Sequence, residues 1–483
     1  MSPVVLRREI TLDSVLSGVR LPGLRSVTGD RRTVVASTTH DSRSVGPQSV
    51  FCCVRGERFD GHEFAAHAVS AGATALLVDH VLPLDVAQII VDDVRSAMGP
   101  LSAAVYGHPS HRLEVIGVTG TNGKTTTTHL LGEIFAGIGR PVATIGTLSG
   151  AMTTPEAPEL QQRFADLVDA GITTVPMEVS SHALALGRVD GTRFVASVFT
   201  NLGRDHLDLH GTQEAYFAAK ARLFDATLSE RAVINIDDEA GRRLAGSIRI
   251  PCTTYSARSL TDVLVTMRSI SYTWHSRRVT VPIGGAFNVS NSLAALTTAA
   301  ELGVEPDEAI GALAGAAPVP GRFEHVQVGQ DFDVIVDFAH TPDALAALLS
   351  TVRTGIQTGP DPAGRIIVVF GCGGNRDRAK RPEMGRAAVR GADLVVVTSD
   401  NPRSEDPSAI IDEICAGIDA DDRARVIVEP DRSMAIEGAC RVARAGDVVL
   451  IAGKGHERTQ TIGDSVIEFD DRAVAQRVLG AIR

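Results

Sequence analysis

The stretch Leu113-Glu-Val-Ile-Gly117-Val-Thr-Gly120-Thr-Asn122-Gly123-Lys124-Thr125-Thr126 decides how the chain folds. A short apolar run of strand character, Leu113–Val118, gives way to glycines and then to a helical pattern from Lys124 to Gly137. Strand, glycine-rich loop and helix start together are the context of a phosphate loop. Glycines let backbone N–H groups approach phosphate oxygens, and the helix N-terminus adds a favourable dipole. Lys124 can reach the terminal phosphates, and Thr125 can ligate Mg2+. The spacing departs from the standard Walker pattern, because the glycine before Gly123-Lys124 falls at Gly117, one residue early. A tight turn with an incidental lysine is the bland alternative; the strand, glycines, lysine and paired threonines in one stretch argue against it.

Outward from the loop, Thr173–Val179, Phe194–Thr200 and Ala232–Ile236 read as further strands of one α/β unit, and Pro318-Val-Pro320-Gly321 punctuates its end. Upstream, Val50–Val54, Ala75–Val78 and Ile89–Val91 mix with turns in a small α/β unit that runs to about His111. Downstream, Val334–Val336, Ile366–Phe370, Leu394–Val397, Val426–Val428 and Val448–Ile451 are separated by helix-like stretches, which predicts βαβ units on a parallel sheet. The expectation for these 483 residues is α/β with three domains: 1–111, a central P-loop ATPase-like parallel or mixed sheet over 112–319, and a C-terminal Rossmann-like domain over 320–483.

Two polar loops follow strands of the central unit. Glu178 ends an apolar run in Met177-Glu-Val-Ser-Ser-His182, and Asn201-Leu-Gly-Arg204-Asp205-His206-Leu-Asp208 follows the next run. A carboxylate at a strand's carboxyl end beside a phosphate loop is well placed to hold Mg2+. Each alone could be a solvated loop charge; two such loops after successive strands favour a shared site. Lys220, in Tyr216-Phe-Ala-Ala-Lys220-Ala-Arg-Leu-Phe224, reads from spacing alone as a surface lysine on an amphipathic helix.

In an open parallel sheet, ligands bind outside the carboxyl ends of the strands. In the third unit these ends carry Asp337 and His340, then Gly371, Gly373, Gly374 and Arg376, then Asp400 and Arg403, then Gly453 and Glu457. Both charge signs should therefore face one cleft. Arg403 can bind a carboxylate bidentately, and Glu457 can accept from an ammonium. The alternative for Arg403 is a charge at a helix start, since Ser404-Glu-Asp-Pro407 follows it.

Taken together, Thr119-Gly-Thr-Asn-Gly-Lys-Thr-Thr126, Met177-Glu-Val-Ser-Ser-His182, Asn201-Leu-Gly-Arg-Asp-His-Leu-Asp208 and Ala219-Lys-Ala-Arg-Leu-Phe224 resemble the Mur ligase family. The resemblance runs almost end to end, through His40-Asp-Ser-Arg43, Asp60-Gly-His62, Gly321-Arg-Phe-Glu324, Asp337-Phe-Ala-His340-Thr-Pro-Asp343, Gly371-Cys-Gly-Gly-Asn-Arg-Asp377, Asp400-Asn-Pro-Arg403 and Gly453-Lys-Gly-His-Glu457. It implies an ATP-dependent carbon–nitrogen ligase of peptidoglycan synthesis. Its substrates would be ATP, UDP-MurNAc-L-Ala-D-Glu and a diamino acid, joined through an acyl phosphate. Lys124, Glu178, His206 and Lys220 would form the catalytic set. Gly120, Thr121, Asn122, Gly123, Lys124, Thr125 and Thr126 would cradle ATP, with Asn288 and Asn291 near the adenine and Arg322, Asp337 and His340 reaching in from the third domain. Mg2+ would be held by Thr125, Glu178, His206 and Lys220, the last carbamylated by CO2. The N-terminal domain would bind the UDP end, with Ser42 near the uridine, while Thr153, Thr154, Ser180 and Arg188 contact the sugar-peptide portion. Arg381, Asp400, Asn401, Pro402, Arg403, Gly453 and Glu457 would form the amino-acid pocket. Asp-Asn-Pro-Arg resembles the version associated with meso-diaminopimelate, whose distal carboxylate L-lysine lacks. The chain departs from the family pattern in two places: the segment between Gly146 and Thr153 is short, and Arg458-Thr-Gln460 stands where an acidic residue and an aromatic are usual. The competing expectations are ligation of L-lysine, ornithine or another amino acid, a polyglutamate-adding relative, and a nucleotide-binding regulator without ligation.

Composition limits the remaining classes. A net charge of −11 argues against a nucleic-acid-coating protein. No apolar run spans a bilayer, and the charged start at Arg7, Arg8 and Glu9 does not read as a signal peptide. The six cysteines form no C-x-x-C pair, which suits free thiols in a reducing compartment. The expectation is a cytoplasmic, monomeric enzyme with no membrane or nucleic-acid partner.

Overall fold

The computed structural model describes residues 10–56, 59–150, 152–358 and 363–482. Arg7, Arg8 and Glu9, and Ala151 of the short segment, lie outside the described residues.

Three α/β sheets succeed one another along the chain. The first runs Leu24–Thr28, Ala87–Val91, Ala73–Val78, Ser49–Cys52, Ser37–Thr39, parallel except for its first strand. The second is wholly parallel, in the order Cys252–Tyr255, Ala232–Asn235, Ala196–Phe199, Glu114–Thr119, Thr174–Glu178. The third runs Glu324–His325, Asp333–Asp337, Val448–Ala452, Ile366–Phe370, Leu394–Val397, Val426–Val428, antiparallel only at its first strand. Their inner strands are apolar on both faces because both faces are covered, whereas edge strands such as Leu24–Thr28 and Cys252–Tyr255 are polar and largely exposed. Alternate residues feed separate cores: Ile116, Val118 and Val198 pack on one side of the central sheet, and Val115, Val175 and Met177 on the other.

The apolar runs of the third unit end within a residue of its observed strands, and the helix Lys124–Gly137 begins and ends where its pattern predicts. One element has no counterpart in that reading. Thr261–Val265, Ile270–Trp274 and Arg277–Val281 form an antiparallel sheet whose Tyr272, Trp274, Val279 and Val281 enter the central core. Among the described residues no helix is long and apolar enough to cross a membrane, and the cysteines are free.

The topology positions the site. The chain leaves Glu114–Thr119 for its neighbour on one side, Thr174–Glu178, and then crosses to its neighbour on the other, Ala196–Phe199. The glycine-rich loop therefore sits where the winding reverses, with the loops after Glu178 and Phe199 beside it.

Candidate active site

A cleft of ≈ 320 Å³ opens between the carboxyl ends of the central and C-terminal sheets. Its central wall is the phosphate loop. Gly120 (φ +152) and Gly123 (φ +86) take backbone conformations that side chains resist, and space forbids one too. A Cβ would lie 1.9 Å from Thr200 Oγ1 at the first and 2.4 Å from Asn291 Oδ1 at the second. No side chain caps the helix that starts at Lys124, so its first N–H groups face the cleft.

Lys124 Nζ folds back to donate to the carbonyls of Gly120 (2.8 Å) and Thr121 (2.9 Å). Lys220 Nζ donates to the same Gly120 carbonyl at 2.8 Å and lies 4.6 Å from the centre of the Tyr216 ring. Lys220 is only 1% exposed, so the surface lysine expected from spacing is a buried one. Burial, with the neighbouring Lys124 charge, pushes its amine well below the usual range. Burial also lowers Lys124, while Glu178 and Asp205 oppose the shift.

Thr125 Oγ1 donates to Glu178 Oε2 at 2.9 Å, and Glu178 Oε1 accepts from the Thr147 N–H at 2.8 Å. His206 stands in left-handed backbone (φ +53) with its Nε2 3.3 Å from Asp205 Oδ2. Burial lowers this imidazole to about 3 against the pull of Asp205, which makes it neutral at ordinary pH. For Asp205 burial acts upward, but His340, His206 and Lys380 outweigh it and hold the carboxyl well below the usual range.

The C-terminal wall reaches across. Arg322 stacks its guanidinium 4.3 Å over Phe338 and donates to Thr125 Oγ1 at 3.0 Å. His340 Nδ1 donates to Phe338 O at 3.0 Å, and its Nε2 lies 3.8 Å from Asp205. Arg204 pairs with Glu383 at 2.9 Å. Arg403 also has left-handed backbone (φ +55); a bridge to Ile462 fixes it, and it donates to Gly374 O at 2.7 Å. Asn401 Nδ2 donates to Glu457 Oε2 at 2.8 Å.

Three family models match this chain: the Mur ligase middle domain over 118–299, the Mur ligase glutamate ligase domain over 321–455, and the Mur ligase family catalytic domain over 34–107. A protein of Geobacillus thermodenitrificans named UDP-N-acetylmuramoyl-L-alanyl-D-glutamate–2,6-diaminopimelate ligase is 45% identical, covering 96% of this chain and 98% of its own. The protein of that name from Streptomyces avermitilis is 41% identical, over 94% of each chain. This chain belongs to the Mur ligase family. A solved structure carrying that same enzyme name superposes with a TM-score of 0.67 at 31% identity, covering 98% and 99% of the two chains. The ADP-bound MurF ligase of Thermotoga maritima shares the Mur ligase fold at a TM-score of 0.62 and 21% identity, covering 92% of this chain and 96% of its own.

The cleft brings together Thr121 to Thr126, Thr153, Glu178, Ser180, His206, Lys220, Arg322, His340, Asp400, Asn401, Arg403, Gly453 and Glu457. Other expected residues stand behind its wall. Arg381 is fully buried, its guanidinium held at 2.9 Å by both Glu405 and Glu413 and donating to Gly373 O. It is an internal strut and not the second carboxylate contact expected of it. Asp337, expected at ATP, instead accepts the N–H groups of Phe323 (2.7 Å) and Ala339 (2.8 Å) and so shapes the turn that carries Arg322. Thr154 spends its hydroxyl on Glu178 O and the Ser180 N–H, and Arg188 spends its guanidinium on Glu156 and Thr154 O. Asn288 and Asn291 are buried and bonded to each other at 2.9 Å, with Asn291 packed on the Gly123 backbone. Gly120, Pro402 and Ser42 do not line the cleft. Arg376, expected at the strand ends of the third unit, lines it too, as do Tyr216 and Lys380, which were not singled out because nothing local in their spacing marks them.

Outside the cleft, His62, Asp79 and His80 bring ligand atoms within 4.8 Å of one another. Arg55 already holds Asp79 at 2.8 Å, and the Asp79 N–H donates to His62 Nε2 at 3.3 Å, so the cluster is satisfied internally.

Proposed function

We propose that this chain is an ATP-dependent ligase that joins meso-diaminopimelate to UDP-MurNAc-L-Ala-D-Glu. The observation that carries the reading is the pairing across one cleft: a phosphate loop with the half-buried Lys124 and the buried Lys220 faces a pocket where Arg403 and Glu457 offer opposite charges. The names of the relatives at 41–45% identity agree with it.

Forming an amide from a carboxylate in water is uphill, so ATP activates the acid. The γ-phosphoryl group passes to the terminal carboxylate of the dipeptide, giving an acyl phosphate and ADP. The incoming amine attacks the acyl carbon, the tetrahedral intermediate expels phosphate, and the amide nitrogen loses a proton. Phosphoryl transfer asks the protein mainly for positioning and charge neutralisation. Lys124 and Arg322 supply the cations; Arg322 already reaches Thr125 from the C-terminal domain, as a closed site requires.

The donors suit Mg2+: the Thr125 hydroxyl and the Glu178 carboxylate touch at 2.9 Å, and His206 is neutral beside them. A hard cation prefers oxygen, and Lys220 offers it only once carbamylated. The neutral amine that burial favours at Lys220 is the form that adds to CO2; it then loses a proton and leaves an anionic carbamate. When bound, Mg2+ would draw charge from the phosphate oxygens. In the amino-acid pocket, Arg403 is suited to a distal carboxylate and Glu457 to an ammonium.

The test is ADP formation with UDP-MurNAc-L-Ala-D-Glu, ATP and Mg2+, comparing meso-diaminopimelate with L-lysine. Turnover confined to meso-diaminopimelate is the expected result. Turnover with L-lysine alone overturns the assignment of Arg403, and no turnover with any amino acid leaves the reading of a nucleotide-binding regulator.

A further inference from the structure

We infer that Lys454 is a positioning residue of the amino-acid pocket, fixing which polar atoms of Asn401 and Glu457 face the substrate. The inference rests on the proposed ligase reading and goes one step beyond the residues that line the cleft. Lys454 does not line it. Its side chain is fully buried, and its ammonium donates to Thr459 O at 2.7 Å, Glu457 Oε2 at 3.0 Å and Asn401 Oδ1 at 3.3 Å. Three donors thus meet three acceptors, and two of these acceptors belong to side chains of the pocket wall.

The consequence is chemical. An Asn amide can lie either way round, and its Oδ1 is aimed here by two donors, Lys454 Nζ and the Thr461 N–H at 3.0 Å. That leaves Nδ2 as the donor end, of which one hydrogen goes to Glu457 Oε2 at 2.8 Å. Glu457 takes both Lys454 and Asn401 on Oε2, and its Oε1 has no partner among the described residues. The pocket is therefore presented with one spare N–H from Asn401 and one spare carboxylate oxygen from Glu457. A donor beside an anionic acceptor matches a carboxylate beside an ammonium, the two groups of a zwitterionic amino-acid centre. With Arg403 in the same wall, this pattern suits the second such centre of a diamino diacid. Without the Lys454 ammonium, the Oδ1 end of the amide keeps only the Thr461 N–H, and Glu457 loses the cation that holds Oε2 back.

The test compares the wild type with Lys454→Met, Glu457→Gln and the double variant, using whichever amino acid the wild type ligates. Wild-type failure to ligate any amino acid overturns the ligase reading itself; the inference about Lys454 is judged on the variants of an active enzyme. The expected result is a rise of tenfold or more in KM for the amino acid in a folded Lys454→Met, with the KM for ATP within the range of the wild type. Because Lys454 acts through Glu457, the double variant should be no worse than about the weaker single variant. An unchanged amino-acid KM in a folded Lys454→Met overturns the proposal, as do multiplicative losses in the double variant. If Lys454→Met does not fold, Lys454→Arg, which keeps the charge but not the geometry, decides it: a raised amino-acid KM at unchanged ATP KM supports positioning, and wild-type kinetics overturn it.

Discussion

On the central wall of the cleft, two crowded ammoniums, Lys124 and Lys220, share the carbonyl of Gly120, whereas on the C-terminal wall the Lys454 ammonium has three acceptors of its own. The first arrangement is under-satisfied and crowded with like charge, and burial lowers both amines. The second is saturated. Arg381 between Glu405 and Glu413 is likewise held by paired carboxylates at the start of the helix Lys380–Gly391, though its buried Nε has no hydrogen-bond partner. Arg432 repeats the saturated pattern behind the sheet, paired with Asp471 at 2.8 Å and donating to Ser399 O and Ala452 O. The difference matches what each wall must do. On the proposed reading, one must exchange protein contacts for phosphate and metal, and its cations are held loosely on backbone carbonyls. The other, on the same reading, must discriminate between amino acids, and its polar atoms are fixed by buried charges.

The comparison breaks most readily at Lys220. Lys220→Ala should cost at least about 100-fold in ligation rate, and added formate should recover part of it by supplying a carboxylate. Full activity of the variant would mean that the crowded lysine is not the source of a metal-ligating carbamate. Next comes Arg403. Arg403→Ala should raise the KM for meso-diaminopimelate by about 10- to 100-fold, the loss expected of a charge-assisted contact. The KM for ATP should stay within about twofold. Equal effects on both substrates would make Arg403 part of domain closure and not of amino-acid choice.

The two walls also differ in how much of them could be read from sequence. The phosphate loop is local: glycines, lysine and threonines lie within ten residues, and the strand before them and the helix after them both show in the apolar pattern. The parallel strands of the C-terminal sheet were legible for the same reason, being short apolar runs between helices. What spacing could not show was burial. Lys220 sits on a helix whose pattern resembles a surface one, and Arg381 follows a lysine in a charged stretch; tertiary packing alone puts both inside. The resemblance to Mur ligases placed Lys220 in the site but put Arg381 on the substrate, where the structure has a strut. The antiparallel sheet over 261–281 went unread because its strands mix apolar residues with Thr, Ser and Arg, a pattern set by packing on only one face.

The C-terminal wall can be tested at its strut. Arg381→Met takes the shared cation from Glu405 and Glu413, but Glu413 keeps Arg378, Glu405 keeps the Asn375 N–H, and both are about a quarter exposed and can rehydrate. The cost in stability should be about 1–3 kcal/mol, below the 3–5 typical of a wholly buried pair. Denaturant unfolding measures it. A loss of amino-acid affinity with no loss of stability would return Arg381 to the substrate.

The smallest effect expected is a pH slope at Lys220 in the absence of nucleotide and CO2. Its folded-state amine is depressed below the model-compound value of 10.5, so near neutral pH the unfolded chain binds more protons than the folded one. Stability must then rise with pH between the folded-state value and 10.5, and level off below the folded-state one, where both forms are protonated. From pH 8 to pH 9 this single group contributes at most about 1.4 kcal/mol. Lys220→Met removes it. Melting curves of the wild type and the variant should therefore converge as pH rises from 7 to 9.5, with the variant more stable at the lower end. Parallel curves would mean that the ammonium keeps its proton in the fold, and the crowding of Lys124 and Lys220 on one carbonyl would then be stabilised by something other than loss of charge.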